Sequence, residues 1–204
     1  MKKNILIIGY GDIGKRLTDV LDSDLYNFLL VSRNNKYNSD DFIEWDWLSK
    51  KEFVHNFEKI DVVIFFPKPS RNDESGYEDG FKNSTENLNK IISKLPIDTF
   101  ISISSTRVYD KESKSSCKEI DSIDPIEFRG KFIKEYEEKQ IDLYKDKLII
   151  LRFSGLYDSQ SAKMSNNHLH RDNAAKIIKF FIENDFNFKS YEIFNCSEDL
   201  SLIH

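Results

Sequence analysis

The chain has 204 residues, enough for one sizeable hydrophobic core but short for two, so we expect a single domain over residues 1–204. A hydrophobic fraction of 39% argues against disorder, and a net charge of -5 without a basic stripe argues against nucleic acid as a partner. The first apolar run ends at Gly9, too early for a secretory signal, and no later run is long enough for a membrane span. Because Cys117 and Cys196 lie far apart without a paired motif, we expect free thiols and a cytoplasmic protein.

Hydrophobic periodicity predicts strands that alternate with helices. The predicted strands cover residues 4–8, 27–31, 42–45, 61–66, 99–103, 147–153 and 191–196. The predicted helices cover residues 13–21, 53–57, 77–95, 128–144 and 174–181, and a polar loop covers 110–124. Since parallel strands need crossover connections, this alternation predicts an α/β fold with a doubly wound parallel sheet of the Rossmann type.

Three glycines follow the first predicted strand and open the first predicted helix. Gly9, Gly11 and Gly14 satisfy the pattern GxGxxG in the context that dinucleotide-binding proteins require. The first glycine permits a tight turn, the second lets a pyrophosphate approach the backbone, and the third allows close helix packing. The helix N-terminus adds attraction for phosphate. The sequence therefore predicts a dinucleotide site formed by Gly9, Tyr10, Gly11, Asp12, Ile13 and Gly14.

The end of the second strand bears on the choice of dinucleotide. An acid there would hold the ribose of NAD, whereas a cation would accept the 2′-phosphate of NADP. The chain has Ser32 and Arg33 at this point, which favours NADP over NAD, with a solvated loop arginine as the alternative. Asp46, after the third strand, could meet the adenine amino group or cap a helix that begins near Leu48.

The fifth strand leads into ISISSTRVYD, residues 101–110. Its Ser-Ser-Thr-Arg-Val-Tyr resembles the SSxxVYG signature of the extended short-chain dehydrogenase/reductases, the NAD-dependent epimerase/dehydratase family. LRFSGLY at 151–157 and NHLHRDNAA at 167–175 resemble that family's LRxxxxYG and NRIHVDDLA segments. The resemblance implies action mostly on nucleotide sugars and places Ser105 where the family has the hydroxyl that hydrogen-bonds the reacting substrate oxygen. It also implies a C-terminal substrate lobe, which we expect to be truncated here.

The family's catalytic YxxxK pair has no counterpart, because no tyrosine in this chain has a lysine four residues later. Aligning Gly130 with the family's YGxSK puts Arg129 on the tyrosine and Ile133 on the lysine; the alternative register gives Glu127 and Lys131. This pattern resembles an atypical branch of the superfamily that lacks the pair. Arginine stays protonated and cannot act as a base, but Arg129 could hold an anionic substrate or a cofactor phosphate, or be solvated.

Other residues offer less for catalysis. Tyr109 and Tyr136 are possible substitute acids or bases, but their positions favour core packing. His168 and His170 have no partners at ligand spacing, so no metal site is predicted.

Two functions from different classes follow. The first is an NAD(P)-binding oxidoreductase-like protein of the epimerase/dehydratase type, acting on a small or sugar-derived substrate, with Ser105 and Arg129 as candidate catalytic residues. The second is a non-catalytic protein on the same fold that senses NADP(H) or binds a partner. A fold that has lost its cofactor is a third reading. The expected partners are a dinucleotide and a small molecule, with no membrane or nucleic acid; the sequence does not predict the oligomeric state.

Overall fold

A computed structural model describes residues 2–49, 51, 53–55, 58–109, 117–158, 167–184, 186 and 189–198. Its strands are β1 (Lys3–Ile8), β2 (Tyr26–Ser32), β3 (Phe42–Glu44), β4 (Ile60–Phe65), β5 (Ile97–Ser105), β6 (Leu148–Phe153), β7 (Gly155–Tyr157), β8 (His168–His170) and β9 (Glu192–Cys196). Its α-helices are α1 (Asp12–Val20), α2 (Glu74–Tyr77), α3 (Ser84–Ile92), α4 (Phe128–Tyr144) and α5 (Arg171–Glu183).

Seven strands form one parallel sheet in the order β3-β2-β1-β4-β5-β6-β9. The strand order reverses at β1, which pairs with β2 on one side and β4 on the other. In open α/β sheets the crevice beyond the carboxyl ends of such strands is where ligands bind. The prediction of a doubly wound parallel sheet is confirmed.

Hydrophobic cores lie on both faces of the sheet, because the strands are apolar on both sides. On one face, Leu17 of α1 and Ile178 of α5 pack with Ile5 and Ile7. On the other face the core joins side chains of the sheet to those of α3 and α4; its members include Leu6, Ile8, Val63, Leu88, Ile92, Ile133 and Tyr136. The helices thus fix the loops that follow β1, β4 and β5 at one edge.

Several element predictions differ from the structure. The helix predicted over 77–95 begins and ends three residues earlier, as a run over 74–92 in which a π-helical segment, Glu78–Asn83, joins α2 to α3. The helix predicted over 53–57 is wrong for the described residues 53–55, whose backbone is irregular. Phe53 packs in the core against Trp45, while Val54 is exposed, so these two members of the predicted helical pattern do not share a buried face. The β7–β8 pair was not predicted.

Three further expectations concern the polar loop, membrane spans and the cysteines. Residues 110–116 of the predicted polar loop lie outside the described residues, and 117–124 are irregular or turn. Within the described ranges, no helix is long and apolar enough to cross a bilayer. Neither Cys117 nor Cys196 forms a disulfide.

Candidate functional site

The glycine turn between β1 and α1 lies at the carboxyl edge of the sheet. Gly9 has a φ of 86°, and a Cβ added there would lie 2.6 Å from the carbonyl oxygen of Phe66. A Cβ on Gly14 would lie 2.9 Å from the Tyr10 ring, so both positions exclude larger residues. A Cβ on Gly11 would meet nothing nearer than the Gly9 carbonyl at 3.7 Å. Gly11 therefore borders open space, into which a side chain would project.

The backbone amides of this turn divide into two groups. The amides of Gly9 and Tyr10 donate to the Val31 carbonyl, at 2.9 and 3.0 Å, and so are used by the sheet. Helix α1 begins at Asp12, and its N-cap Gly11 supplies no side-chain hydrogen bond. The first-turn amides of a helix lack intrahelical acceptors and carry partial positive charge. The side chain of Tyr10 is buried and its hydroxyl lies 3.1 Å from Thr18 Oγ1, so Tyr10 faces the turn with its backbone only.

Asp12 belongs to an ion-pair network that joins α1 to α5. Its Oδ2 lies 3.2 Å from Arg16 Nε and 3.1 Å from Arg171 Nη1. Arg16 also pairs with Asp172, and this hydrogen bond holds the pKa of Asp172 below its usual value. The two guanidinium groups thereby balance the negative charge of Asp12 beside the glycine turn.

The residues predicted to meet the adenosine half lie after β2 and β3. Ser32 is half-buried at the end of β2, and Arg33 is exposed, with its guanidinium carbon 5.9 Å from the centre of the Trp47 ring. No carboxylate among the residues with described positions pairs with Arg33. Asp46 Oδ1 accepts a hydrogen bond from the Leu48 amide at 3.0 Å. It caps a turn, and the helix expected near Leu48 is absent from described residues 46–49.

Ser105 and the start of α4 meet across a short 3₁₀ turn, Thr106–Val108. Ser105 Oγ accepts from the Arg107 amide at 3.2 Å, which leaves its own O–H free to donate. A Cβ on Gly130 would lie 2.9 Å from the Arg107 carbonyl and 2.5 Å from Pro125 Cβ. Glycine at 130 therefore lets α4 approach the turn that Ser105 heads.

Arg129 is half-buried in the first turn of α4. Its guanidinium carbon lies 5.5 Å from the centre of the Phe128 ring and 5.9 Å from that of Tyr77. Nη2 donates a long hydrogen bond of 3.4 Å to the Asn72 carbonyl, and Nε is buried with no hydrogen-bond partner among the described residues. Arg129 thus lies between the loop after β4 and the turn after β5.

A family comparison decides the relationship. The model of the NAD dependent epimerase/dehydratase family matches residues 5–157, three quarters of the chain. The chain belongs to this family. No curated protein matches it in sequence.

Solved structures of epimerase/dehydratase type resemble the chain in fold. MoeE5 in complex with UDP-glucose and NAD has a TM-score of 0.75 at 16% identity, covering 95% of this chain and 76% of that one. UDP-N-acetylglucosamine 4-epimerase from Bacillus cereus has a TM-score of 0.74 at 16% identity, covering 97% and 78%. UDP-glucuronic acid 4-epimerase from Bacillus cereus in complex with NAD has 0.75 at 18%, covering 95% and 76%. The chain spans about three quarters of the length of these structures.

Neither tyrosine considered as a substitute for the family's base is available for that role. Tyr136 is 1% exposed, and its hydroxyl shares a hydrogen bond of 2.5 Å with Ser102 Oγ. Burial raises its pKa far above the usual value, so Tyr136 serves the core, as predicted. Tyr109 accepts from Arg152 Nη1 at 2.7 Å and lies 3.0 Å from Asn195 Oδ1. Its hydroxyl is occupied within a polar network.

Sequence reasoning missed the buried ion pair at the centre of that network. Arg152, in this family's LR segment, is 2% exposed, and its Nη2 lies 2.7 Å from Oε2 of Glu137, which is 1% exposed. Ser104 Oγ donates to Glu137 Oε1 at 2.5 Å. The helical spacing could have indicated the burial of Glu137, because it lies four residues after Ile133 on the buried face of α4.

A second missed cluster surrounds β7 and β8. Tyr157 donates to Glu198 Oε2 at 2.6 Å, and its ring lies edge-on to His168 and His170. Burial tends to raise the pKa of Glu198, but hydrogen bonds from Tyr157, Asn173 and the His170 amide outweigh it and hold that pKa below its usual value. In the described part of the chain, no group of three His, Cys, Asp or Glu is arranged to hold a metal.

Proposed function

We propose that the chain is a dinucleotide-dependent oxidoreductase of the epimerase/dehydratase type, acting on a small or sugar-derived substrate. The carrying observation is the open space that the described residues leave at Gly11, beside helix amides that this N-cap glycine cannot cap with a side chain. The backbone of Gly11, Asp12 and Ile13 would hold the pyrophosphate, while Gly9, Tyr10 and Gly14 give the turn its shape. When bound, the nicotinamide supplies a hydride acceptor or donor.

Arg33 supports NADP as the preferred dinucleotide. Its guanidinium is exposed at the end of β2, beside Ser32, and has no described carboxylate partner. A guanidinium with this freedom can bind a 2′-phosphate through two hydrogen bonds. NAD, present with MoeE5 and with the UDP-glucuronic acid epimerase, is the alternative. One carboxylate oxygen of Asp46 caps its turn, which leaves the other for the adenine amino group.

Ser105 is the residue we assign to the substrate. Its Oγ already accepts a hydrogen bond from the Arg107 amide. Its own O–H is thus available to donate to the reacting oxygen of a substrate. Arg129, which one of the two alignments places on the family's tyrosine, cannot take up a proton at neutral pH, so we assign it to binding and orienting charge. This chemistry differs from that of family members with the tyrosine.

A titration with NADPH and NADH tests the proposal, with energy transfer from Trp45 and Trp47 to the reduced nicotinamide as the signal. We expect Gly11→Val to abolish binding of both nucleotides. Arg33→Ala should weaken NADPH about 10- to 100-fold and leave NADH nearly unchanged. Lys36→Ala removes the same charge three residues later and should change neither affinity. Failure of both nucleotides to bind the wild-type protein would overturn the proposal.

A second function is favoured by one observation: Ile133, which one of the two alignments places on the family's lysine, is 2% exposed and carries no charge. The alternative is a non-catalytic protein in which NADP(H) changes association with a partner. Absorbance assays with UDP-glucose and UDP-glucuronate would separate the two, because only an enzyme changes the redox state of its nucleotide. Nucleotide binding without such change, together with an assembly state that depends on NADPH, would favour the alternative.

A further inference from the structure

Arg129 carries a charge that the described protein leaves without a counter-ion. Its one described hydrogen bond, to the Asn72 carbonyl, is long at 3.4 Å, although a guanidinium has five N–H donors. Nε is buried and unpartnered, and no described carboxylate lies within ion-pair distance. Removing a charged group from water without a partner is costly, so a half-buried arginine in this state favours an incoming anion.

One acid near Arg129, Asp73, has other partners in the fold. Asp73, next to Asn72, accepts the Gly76 amide at 2.8 Å and pairs with Arg71 at 3.1 Å. These hydrogen bonds, led by that of the Gly76 amide, hold the pKa of Asp73 below its usual value. The basic residues Arg107 and Lys131, by contrast, are exposed and have no described carboxylate partners. Arg107 and Lys131 thus add positive charge near Arg129 that no described carboxylate pairs with.

Aromatic rings fix where this charge can act. The ring of Phe128 lies edge-on to that of Tyr77, with centres 5.6 Å apart, and the guanidinium lies close to both rings. Such contacts restrict a long side chain without using its hydrogen-bonding edge. Gly130 packs against the turn that Ser105 heads, so the backbone of Arg129 adjoins that turn.

We infer that Arg129 binds an anionic group of the substrate, a carboxylate or a phosphate, beside Ser105. This inference rests on the proposed function for calling the ligand a substrate, but anion binding by Arg129 is measurable without turnover. The planar fork of Arg129 would meet two oxygens of the anion at once.

Isothermal titration calorimetry with sodium oxalate and with inorganic phosphate, at ionic strength held constant with sodium chloride, tests the inference. We expect at least one of the two to bind, and the preferred one identifies the substrate group as carboxylate or phosphate. Arg129→Gln should weaken that binding about tenfold or more. Arg129→Lys, which keeps the charge but loses the fork, should give a smaller loss. Lys131→Gln is the matched control, since it removes the same charge from the same helical turn, and it should have little effect.

Three results would overturn the inference: no binding of either anion to the wild-type protein, equal losses in Arg129→Gln and Lys131→Gln, or displacement of the anion by saturating NADPH. The last result would assign Arg129 to a cofactor phosphate. Should Arg129→Gln fail to fold, the comparison of Arg129→Lys with the wild type still decides. Anion binding that persists in Gly11→Val, with no NADPH binding by the wild type, would remove the proposed function and leave the anion site.

Discussion

A buried ion pair between Glu137 and Arg152 fixes α4 against the sheet. The carboxylate of Glu137 is buried between α4 and the sheet. Its charge is tolerated there because Arg152 and Ser104 both donate hydrogen bonds to it. Tyr109 occupies another donor of the same guanidinium. A pair of this kind adds little net stability over apolar residues, but its halves cannot be separated without leaving a bare charge in the interior.

Glu137→Gln should therefore reduce the free energy of unfolding by about 3–5 kcal/mol, because Arg152 is left buried without its counter-ion. Urea denaturation measures this loss. Glu86 makes the matched control: it pairs with Lys139 at 2.6 Å on the surface, and Glu86→Gln should cost no more than about 1 kcal/mol. Similar losses in the two variants would mean that the buried pair is not the anchor we describe.

Glu198 should make stability depend on pH in the acid range. Its pKa is held below the usual value in the folded state, so its contribution is fully present above the unfolded-state pKa of about 4.3 and is lost as pH falls through the folded-state value. The difference in Tm between wild type and Glu198→Gln should thus be largest near neutral pH and shrink on acidification. Tyr157→Phe should shift this loss to higher pH. A Tm difference that stays constant with pH would contradict the assignment.

At the scale of elements, the hydrophobic pattern of the sequence predicted those helices and strands that depend only on residues close together in the chain. The apolar run of β1, the glycines and the apolar face of α1 act within twenty residues, and the structure agrees with them. The β7–β8 pair was missed because each strand has three residues with a single aliphatic side chain, whereas the equally short β3 begins with the apolar pair Phe42 and Ile43. The contacts of Arg152 and Arg129 were beyond reach for another reason: each depends on which residues of distant segments meet, and composition does not reveal that.

Two glycine substitutions should separate a packing role from a binding role. Gly130→Ala places a methyl 2.5 Å from Pro125 and 2.9 Å from the Arg107 carbonyl, so we expect a loss of about 1–3 kcal/mol in stability. Gly11→Ala meets no atom within 3.7 Å, and Gly11 has a negative φ of -122, so stability should change by less than about 1 kcal/mol. Thermal unfolding and the NADPH titration together measure both effects. Gly11→Ala should lose nucleotide affinity nonetheless, and a stable variant that binds normally would remove Gly11 from the site.

At the scale of the whole molecule, the sheet couples the two cores. Strands β1, β4, β5 and β6 send alternate side chains to opposite faces, so no core can be lost without exposing the strands of the other. The proposed site residues lie at strand ends, in loops and in first helical turns at one edge of this sheet. The described cavity of about 260 Å³ between Lys3, Asp61 and Phe181 lies at the other edge, where the strands begin. The proposed site and that cavity therefore lie at opposite edges of the sheet.

This coupling predicts one cooperative unfolding transition for residues 1–204. Trp45 and Trp47 report on the core beside α3 and α4, whereas far-UV circular dichroism reports on all helices, including α1 and α5 on the other face. In urea the two signals should give the same midpoint and the same slope, because two-state unfolding makes every probe follow one equilibrium. Glu137→Gln, which damages only the core beside α4, should move both midpoints together. Tryptophan fluorescence that changes at lower urea than the circular dichroism would instead divide the chain into two units.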